Sequence, residues 1–482
     1  MKKNQYIYAL LVMFLGITAC ENYLDVNPKG KLAEDEMFED IEGYRSAMYG
    51  VYASLAQKDL YGKVLSYGFL DELAQLYYSP YEFNRDNIKE VTTYKYKDLK
   101  VVDVVDNIWK KGYACISYVN NILAHLEKED LNSETDFPYM LGECHGLRAF
   151  IHFDILRLFA DNILLKQDAS GIPYAYDYDL QNKQVFSLKD SYTNILNDLT
   201  KAESILEECE LNNKTTTPTS YQADRYTQMN IYAVYALKAR VYQAMGDNQN
   251  ARNYAEKVIT APEFQLITPS SENLKAVMKF PADNELIWGL FNNTLYSTLY
   301  DDFISTDIVI TPRRVREDLT DIYNTKEFQP TSQDYRYQTF FRPSSTTMFI
   351  RLLEKAAEVD EDITKIVQGV NLIRLPEMYY IAAEGWYNEK PEKAIRYLND
   401  VRNSRGLADI DNSKVNQKEK FMEILRNERI RELWGEGQIF LDYKRYNVEF
   451  YDLDMKPIKP SPQIFNLPWP EAELEYGSTF KK

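Results

Sequence analysis

The sequence has little of the residue types on which most catalytic and metal sites depend. Its 482 residues include three histidines and four cysteines. So few imidazole groups argue against histidine-based catalysis and against a zinc site built from several histidines. Basic residues are also outnumbered, since 56 lysines and arginines against 73 aspartates and glutamates leave a net charge of −17. Because nucleic acids and anionic lipid surfaces attract cationic faces, this charge argues against either as a partner.

Cysteine is too sparse for a disulfide-stapled scaffold, and no two cysteines form a C-x-x-C motif. Cys115, Cys144 and Cys209 each lie in a helical-looking segment, where a small buried side chain is the usual role of a thiol. The sequence leaves open whether any two of them form a disulfide. Long apolar runs are scarce as well. Beyond the first twenty residues, no segment has the roughly eighteen apolar residues that a membrane-spanning helix needs.

The first twenty residues resemble the signal peptide of a bacterial lipoprotein. Lys2 and Lys3 precede an apolar run over residues 6–16, which has secretory-signal length and is too short to span a bilayer. The run ends in Ile-Thr-Ala before Cys20, and a lipoprotein signal peptidase accepts small residues before a cysteine. We therefore expect removal of residues 1–19 and acylation of Cys20, which anchors the chain because each buried CH2 contributes about 0.8 kcal/mol. The alternative is an ordinary secretory signal followed by a chance cysteine.

Most of the chain has the apolar periodicity of α-helices. One predicted hairpin joins residues 229–245 to residues 251–259, and its small, aromatic and turn positions resemble a tetratricopeptide unit: Ala239, Tyr242, Gly246 and Ala251. A second hairpin begins at Leu375, continues in a helix opened by Pro391, and ends at Gly406. The sequence therefore predicts a mostly α-helical, tetratricopeptide-like scaffold with a loop-rich lobe that carries a few short strands.

The same pattern divides the chain into segments, because the helical periodicity fades in two stretches rich in tyrosine, asparagine, serine and proline. We expect a signal peptide at 1–19, a tether and first scaffold helix at 20–60, a loop-rich insertion at 61–106, the tetratricopeptide-like scaffold at 107–261, a loop-rich ligand-binding lobe at 262–370, and a C-terminal helical hairpin with a closing segment at 371–482. Loops held by a rigid scaffold are the usual place for binding residues.

A series of short motifs runs along the chain in a fixed order. The motifs are YLDVNP at 23–28, YGVY at 49–52, IW at 108–109, NN at 120–121, GECHGLRAF at 142–150, LIRLPE at 372–377, AE at 383–384, LNDVR at 398–402, ER at 428–429, EL at 432–433, EGQ at 436–438, DYKR at 442–445 and PWP at 468–470. Each piece is short, but their combination with Cys20 resembles the SusD/RagB family of outer-membrane nutrient-binding lipoproteins of the Bacteroidetes.

The resemblance implies a surface-exposed protein that is lipid-anchored to the outer membrane and covers a SusC-like, TonB-dependent transporter as a lid. Such proteins capture oligosaccharide, or peptide in the RagB branch, and they make or break no covalent bond. In the family, the ligand surface lies on the loop-rich lobe, away from the tetratricopeptide face. Its residues vary, so the resemblance assigns no ligand contact to a position of this chain.

Candidate ligand contacts come instead from composition. Sugars present apolar faces and a rim of hydroxyls, so an aromatic ring beside polar side chains suits them. The chain has 39 tyrosines against five tryptophans. In the loop-rich stretches we predict six ligand-binding residues: Tyr77, Tyr78, Tyr81, Trp288, Tyr296 and Tyr300. We expect the removal of Trp288 and Tyr296 to cost only about 1–2 kcal/mol of stability, as for surface rings.

Charged residues within the motifs lie at helical spacing and are interpreted as ion pairs and caps between neighbouring helices rather than as a catalytic cluster. These residues are Glu143, Arg148, Glu384, Arg402, Glu428, Glu432, Asp442 and Arg445.

Other functions remain open at this stage. The alternatives are a peptide-binding RagB-type lid and a tetratricopeptide adaptor that binds a partner helix, and the adaptor is a stronger rival than a secreted glycosidase or a metal-binding protein. A secreted glycosidase needs two facing carboxylates, which the helical-repeat pattern does not suggest. His145 and His152 share a helix face, but their spacing is not the i, i+4 spacing of zinc-binding pairs, and no D-x-D-x-D-G calcium loop is present. We assign no catalytic residue, no metal ligand and no cofactor, and the sequence leaves open whether acidic loop residues bind a calcium ion.

Overall fold

The computed structural model describes residues 34–78, 87–212, 217–268, 270, 280–303, 313–323, 334–342, 348–349, 351, 369–410, 415 and 417–477. Two predicted sites, Cys20 and Tyr81, lie outside these residues. The chain divides into two compact units, residues 1–47 and residues 48–482.

Helices make up most of the described chain, as the sequence predicts. They are α1 (Glu34–Met37), α2 (Ile41–Leu55), α3 (Phe69–Leu73), α4 (Ile88–Thr92), α5 (Leu99–Leu126), α6 (Phe137–Phe159), α7 (Leu188–Glu207), α8 (Ile231–Ala244), α9 (Asn248–Ile259), α10 (Leu295–Phe303), α11 (Leu319–Tyr323), α12 (Tyr335–Phe340), α13 (Leu375–Trp386), α14 (Pro391–Ser404), α15 (Lys418–Glu432), α16 (Ile439–Tyr446), α17 (Pro462–Phe465) and α18 (Glu471–Tyr476).

The strands are short and pair in twos, each pair antiparallel. They are β1 (Tyr77–Tyr78) with β5 (Arg314–Val315), β2 (Ser170–Pro173) with β3 (Val185–Ser187), β4 (Leu286–Phe291) with β8 (Gly369–Arg374), β6 (Phe341–Arg342) with β7 (Met348–Phe349), and β9 (Phe450–Tyr451) with β10 (Pro457–Ile458).

In the first unit, the described residues form α1 and the start of α2. Phe38, in the turn between these helices, packs edge-on against Tyr44 with ring centroids 4.9 Å apart.

In the second unit, successive helices pack side by side as a solenoid. Contacts run from α5 to α6, α7, α8 and α9 in chain order, and α9 then packs against α13, which packs against α14. Helix α6 is apolar on nearly every face and almost entirely buried, which is the pattern of a central helix. Helix α5 begins at Leu99, inside the stretch predicted as a loop-rich insertion.

Both predicted hairpins form. At the first, Asn230 and Asp247 accept backbone N–H groups of α8 and α9 through their side chains, which caps the two helices. Gly246 lies between them with φ +75°, a conformation that costs glycine nothing, and Gly406 follows α14 with φ +82°. The buried side chains of Ala239 and Ala251 leave room for the close approach of α8 to α9.

Elements distant in sequence meet at a buried ion-pair cluster, whose six side chains are each at most 1% exposed: Glu285, Arg336, Arg374, Arg405, Glu428 and Glu432. Glu432 accepts from three arginines, and the shortest N–O distance is 2.8 Å to both Arg374 and Arg405. Arg405 also contacts Glu285 at 2.7 Å, which ties β4 to the end of α14. Within the cluster, the attraction between opposite charges offsets the free-energy cost of removing each charge from water.

Among the residues described, no helix is both long enough and apolar enough to span a bilayer. Cys115 and Cys144 are buried, Cys209 is half-buried, and all three are free thiols.

Candidate ligand-binding cleft

Two of the predicted ligand-binding rings lie in the core. Tyr77 is fully buried, and its hydroxyl accepts the indole N–H of Trp434 at 2.9 Å. Trp288 is equally buried and packs edge-on against Phe150 with ring centroids 4.7 Å apart. Neither ring has a face open to a ligand, and the expectation that Trp288 is a surface ring is wrong because β4 is covered on both sides.

Tyr296 and Tyr300, by contrast, share one face of α10. Residues four apart on a helix are neighbours, and the two ring centroids lie 6.0 Å apart. Tyr296 is half-buried and Tyr300 is 41% exposed, while Leu295 and Leu299 hold the other face of α10 in the core. A ligand-binding role of this pair stays a prediction.

Tyr78 lies in a cleft of about 300 Å³, which we call the Tyr78 cleft. Its lining comes from four separate segments: Tyr78, Ile88, Lys89, Thr92, Glu317, Leu453 and Asp454. Successive residues of a strand point to opposite faces, so the burial of Tyr77 directs Tyr78 outward. The pairing of Tyr77 with Val315 and of Tyr78 with Arg314 fixes this orientation.

The floor of the Tyr78 cleft is held by hydrogen bonds between β1, β5 and α4. Arg316 N–H donates to the carbonyl of Leu76 at 3.1 Å, which extends the pairing of β5 with the chain before β1. Gln75 donates to the carbonyl of Thr92 at 2.8 Å and so ties the end of α4 to the same strand. The buried side chain of Ile88 anchors α4 in the protein. Lys89 and Thr92 of the same helix line the cleft.

Another wall of the Tyr78 cleft is the turn between β9 and β10. Asp452 organises this turn by accepting the backbone N–H groups of Asp454 at 2.9 Å and Lys456 at 2.7 Å. The turn presents Leu453 and Asp454 to the cleft, and Asp454 pairs with Lys456 at 2.9 Å. The wall therefore offers an apolar side chain and a carboxylate next to each other.

The electrostatics of the Tyr78 cleft are nearly balanced. Burial, and then the nearby carboxylate of Glu317, raise the pKa of the Tyr78 phenol, which therefore stays neutral at physiological pH. The lining carries the carboxylates of Glu317 and Asp454 and the ammonium group of Lys89. Two cations lie next to the lining: Lys456 pairs with Asp454, and Arg314 acts on the Tyr78 phenol. A ring, two carboxylate acceptors, an ammonium and a hydroxyl together suit a neutral ligand with many hydroxyl groups.

Sequence reasoning missed four polar residues of the Tyr78 cleft. Lys89, Thr92, Glu317 and Asp454 form no motif, and the three segments that carry them lie more than a hundred residues apart. The one local signal is the acidic stretch Asp452-Leu453-Asp454 between two short β-prone runs, which is typical of a hairpin turn.

The charged residues of the sequence motifs form ion pairs. Their interpretation as ion pairs between elements of the fold is thereby confirmed. Arg148 contacts Asp198 at 2.7 Å, Arg445 contacts Glu384 at 2.8 Å, and these pairs link α6 to α7 and α13 to α16. The remaining motif residues pair in the same way: Glu143 with Arg225, Arg402 with Glu428, Glu432 with three arginines, and Asp442 with Arg429.

The two histidines of α6 also have protein partners. His152 contacts the carbonyl of Arg148 at 2.8 Å and accepts the backbone N–H of Ala175 at 3.1 Å. Burial lowers the pKa of His152 to about 3. His145 contacts Asp198 at 3.1 Å. Within the described ranges, no group of three or more His, Cys, Asp or Glu side chains is arranged to hold a metal ion.

Comparison with known proteins agrees with this architecture. A SusD superfamily protein from Bacteroides thetaiotaomicron superposes with a TM-score of 0.72 over 90% of this chain and 98% of its own, at 21% identity. A SusD-like carbohydrate binding protein from Bacteroides vulgatus gives a TM-score of 0.71 over 91% and 98%, at 17% identity. At these identities the likeness establishes a common fold.

The sequence comparisons point the same way. SusD-like protein P2 of Formosa agariphila is 25% identical over 277 residues, which cover 56% of this chain and only half of that relative. Residues 22–243 match a family described as "Starch-binding associating with outer membrane". Residues 159–477, more than half of the chain, match the SusD family. The resemblance carried by the short motifs is thereby confirmed, and the chain belongs to the SusD family.

Proposed function

We propose that the protein binds an oligosaccharide nutrient in the Tyr78 cleft and releases it unchanged. The observation that carries this proposal is the composition of the cleft: an outward tyrosine ring with both donors and acceptors around it and a nearly balanced charge. The name of the carbohydrate-binding structural relative and the starch-binding family description support the same ligand class. The Tyr296–Tyr300 pair is a second platform on which a longer glycan could stack.

We further propose that the protein is a surface-exposed lipoprotein of the outer membrane that closes over a SusC-like, TonB-dependent transporter. A lid moves toward its closed state only if the ligand binds that state more tightly than the open one. A glycan that contacts both the Tyr78 cleft and the transporter supplies this difference, and no covalent chemistry is needed.

The glycan proposal predicts a clear effect of the Tyr78 ring. Changing Tyr78 to alanine should weaken glycan binding about five- to tenfold, because ring stacking contributes on the order of 1–1.5 kcal/mol. Tyr78→Phe keeps the ring and should weaken binding less. Calorimetric titration with a panel of neutral oligosaccharides measures both, and Tyr118→Ala, at a tyrosine of α5 that is 50% exposed, is the matched control.

The same titrations separate the alternatives. Glycan binding that Tyr78→Ala leaves unchanged would place the ligand elsewhere, and binding only to a peptide panel would favour the peptide-binding lid. Hydrolysis of the glycan during titration would contradict a purely binding role. If neither panel binds, the adaptor function becomes the better explanation.

The lipid anchor gives an independent prediction. Cys20→Ala removes the thiol that would be acylated, so the variant should move from the membrane fraction to the soluble fraction. Metabolic labelling with a palmitate analogue should mark the wild-type protein and leave the variant unmarked. A variant that stays in the membrane fraction would contradict the anchor.

A further inference from the structure

A second pocket lies on the tetratricopeptide-like scaffold, built by segments that do not line the Tyr78 cleft. It has a volume of about 440 Å³, within the range of small-molecule sites. Its lining is Tyr139, Glu210, Leu211, Pro218, Gln222, Asp224, Arg225, Tyr226, Asn230, Tyr232, Glu263, Phe264, Leu286 and Ile287. The pocket thus lies between the described chain that joins α7 to α8, the N-terminal ends of α6 and α8, the chain after α9 and the start of β4.

Aromatic rings form much of this pocket. Phe264 packs edge-on against Tyr232 with ring centroids 5.1 Å apart and an interplanar angle of 90°. Tyr139 lies deeper and is 7% exposed, while Tyr226 is half-buried. Such rings give an apolar ligand body contact area, and their faces attract cations.

The polar groups at the base of the pocket are already engaged within the protein. The Arg225 guanidinium contacts Glu143 at 2.5 Å and Glu210 at 2.6 Å, so its charge is matched by these two carboxylates. Asn230 caps α8 and also donates to the carbonyl of Ile287 at 2.9 Å. These groups fix the walls and leave no unmatched positive charge at the base.

The rim of the pocket, in contrast, carries carboxylates that are exposed. Glu263 accepts the hydroxyl of Tyr232 at 2.8 Å. Burial, and then the nearby carboxylate of Asp224, raise the pKa of the Tyr226 phenol. Both carboxylates are exposed and stand beside rings. Among its described lining residues the pocket has no lysine and no arginine other than Arg225, so its rim is net negative.

We propose that this pocket binds a small organic cation, an amine or guanidine carried on an aromatic or apolar body. The rings would contact the body and face the cation, and Asp224 and Glu263 would pair with its charge. The rim disfavours anions. This ligand class differs from the neutral glycan proposed for the Tyr78 cleft, so the site adds a second binding activity.

Three probes of nearly equal size and shape test the proposal: tyramine, the neutral alcohol tyrosol, and the anion 4-hydroxyphenylacetate. In calorimetric or NMR titrations of the full chain, tyramine should bind about five- to tenfold more tightly than tyrosol, and 4-hydroxyphenylacetate should bind most weakly. The double variant Asp224→Asn, Glu263→Gln should bring the affinity for tyramine to within about twofold of the affinity for tyrosol. The affinity for tyrosol itself should not change.

A matched control changes the net charge equally at exposed carboxylates outside the pocket, Asp168→Asn with Glu475→Gln, and should keep the preference for tyramine. Phe264→Ala should weaken the binding of tyramine and of tyrosol to a similar extent. Tyr78→Ala should change the binding of neither compound. Circular dichroism checks that each variant is folded. The proposal is overturned if no probe binds saturably, if the three bind equally, or if the rim variant retains the preference for tyramine.

Discussion

Changing Glu432 to glutamine is expected to lower the free energy of unfolding by about 3–5 kcal/mol, because removal of one partner from a buried ion pair leaves the others uncompensated. Glu432 is fully buried and lies between Arg336, Arg374 and Arg405, at N–O distances of 3.2, 2.8 and 2.8 Å. A glutamine keeps the volume but removes the charge. It also turns an amide N–H group toward guanidinium donors.

Urea unfolding followed by circular dichroism measures this loss. Lys420→Gln is the control, because Lys420 pairs at the surface with Glu423 at 3.3 Å, and such pairs are worth about 0–1 kcal/mol. A loss below about 1 kcal/mol for Glu432→Gln would show that the buried ion-pair cluster tolerates a missing charge.

The cluster also sets an acid limit on stability. Neighbouring arginines lower the pKa of Glu432 well below its usual value and that of Glu428 to about 2, against the desolvation that opposes them. A carboxylate with a lowered pKa in the folded state contributes stability above its unfolded pKa, about 4.3, and loses it as the pH falls. Stability should therefore fall below about pH 4.5, and less steeply in Glu432→Gln.

Changing Trp288 to alanine is the second large effect, with an expected loss of about 3–5 kcal/mol, because a buried tryptophan leaves a cavity that the surroundings fill only in part. The ring is fully buried against Phe150, and its strand pairs Trp288 with Ile373 of β8. This value replaces the small loss expected from sequence, which treated Trp288 as a surface ring.

Tyr300→Ala is the matched aromatic control on the neighbouring helix α10. Because Tyr300 is 41% exposed, its removal should change the free energy of unfolding by less than about 1 kcal/mol. Chemical denaturation measures the free energy of unfolding of both variants. The dependence of that free energy on denaturant concentration should be compared between them. Equal losses for the two rings would contradict their assignment to core and surface.

The helical hairpins could be predicted from sequence because the information is local. Apolar periodicity located α8, α9, α13 and α14, and Gly246 and Gly406 marked the ends where a positive φ is required. The pairing of the motif charges could also be anticipated, because charges placed among apolar stripes need partners when helices pack.

The ring positions could not be settled in the same way. Tyr77 and Tyr78 are adjacent and chemically identical, and only the pairing of β1 with β5, more than two hundred residues later, decides which one faces outward. Trp288 did carry a local signal: the six residues of β4 are all apolar or glycine, which is typical of a strand covered on both faces. Read that way, the sequence would have placed Trp288 in the core.

The buried ion-pair cluster has a consequence for the order in which the chain can fold during synthesis. Glu285 contacts Arg405, which follows it by 120 residues in the chain. Glu432, another member of the cluster, follows later still in the sequence. A nascent chain that has emerged only as far as β4 exposes a carboxylate whose cations are not yet translated. The lobe around β4 must therefore wait for the C-terminal helices, whereas the α8–α9 hairpin can form on the ribosome as soon as it emerges.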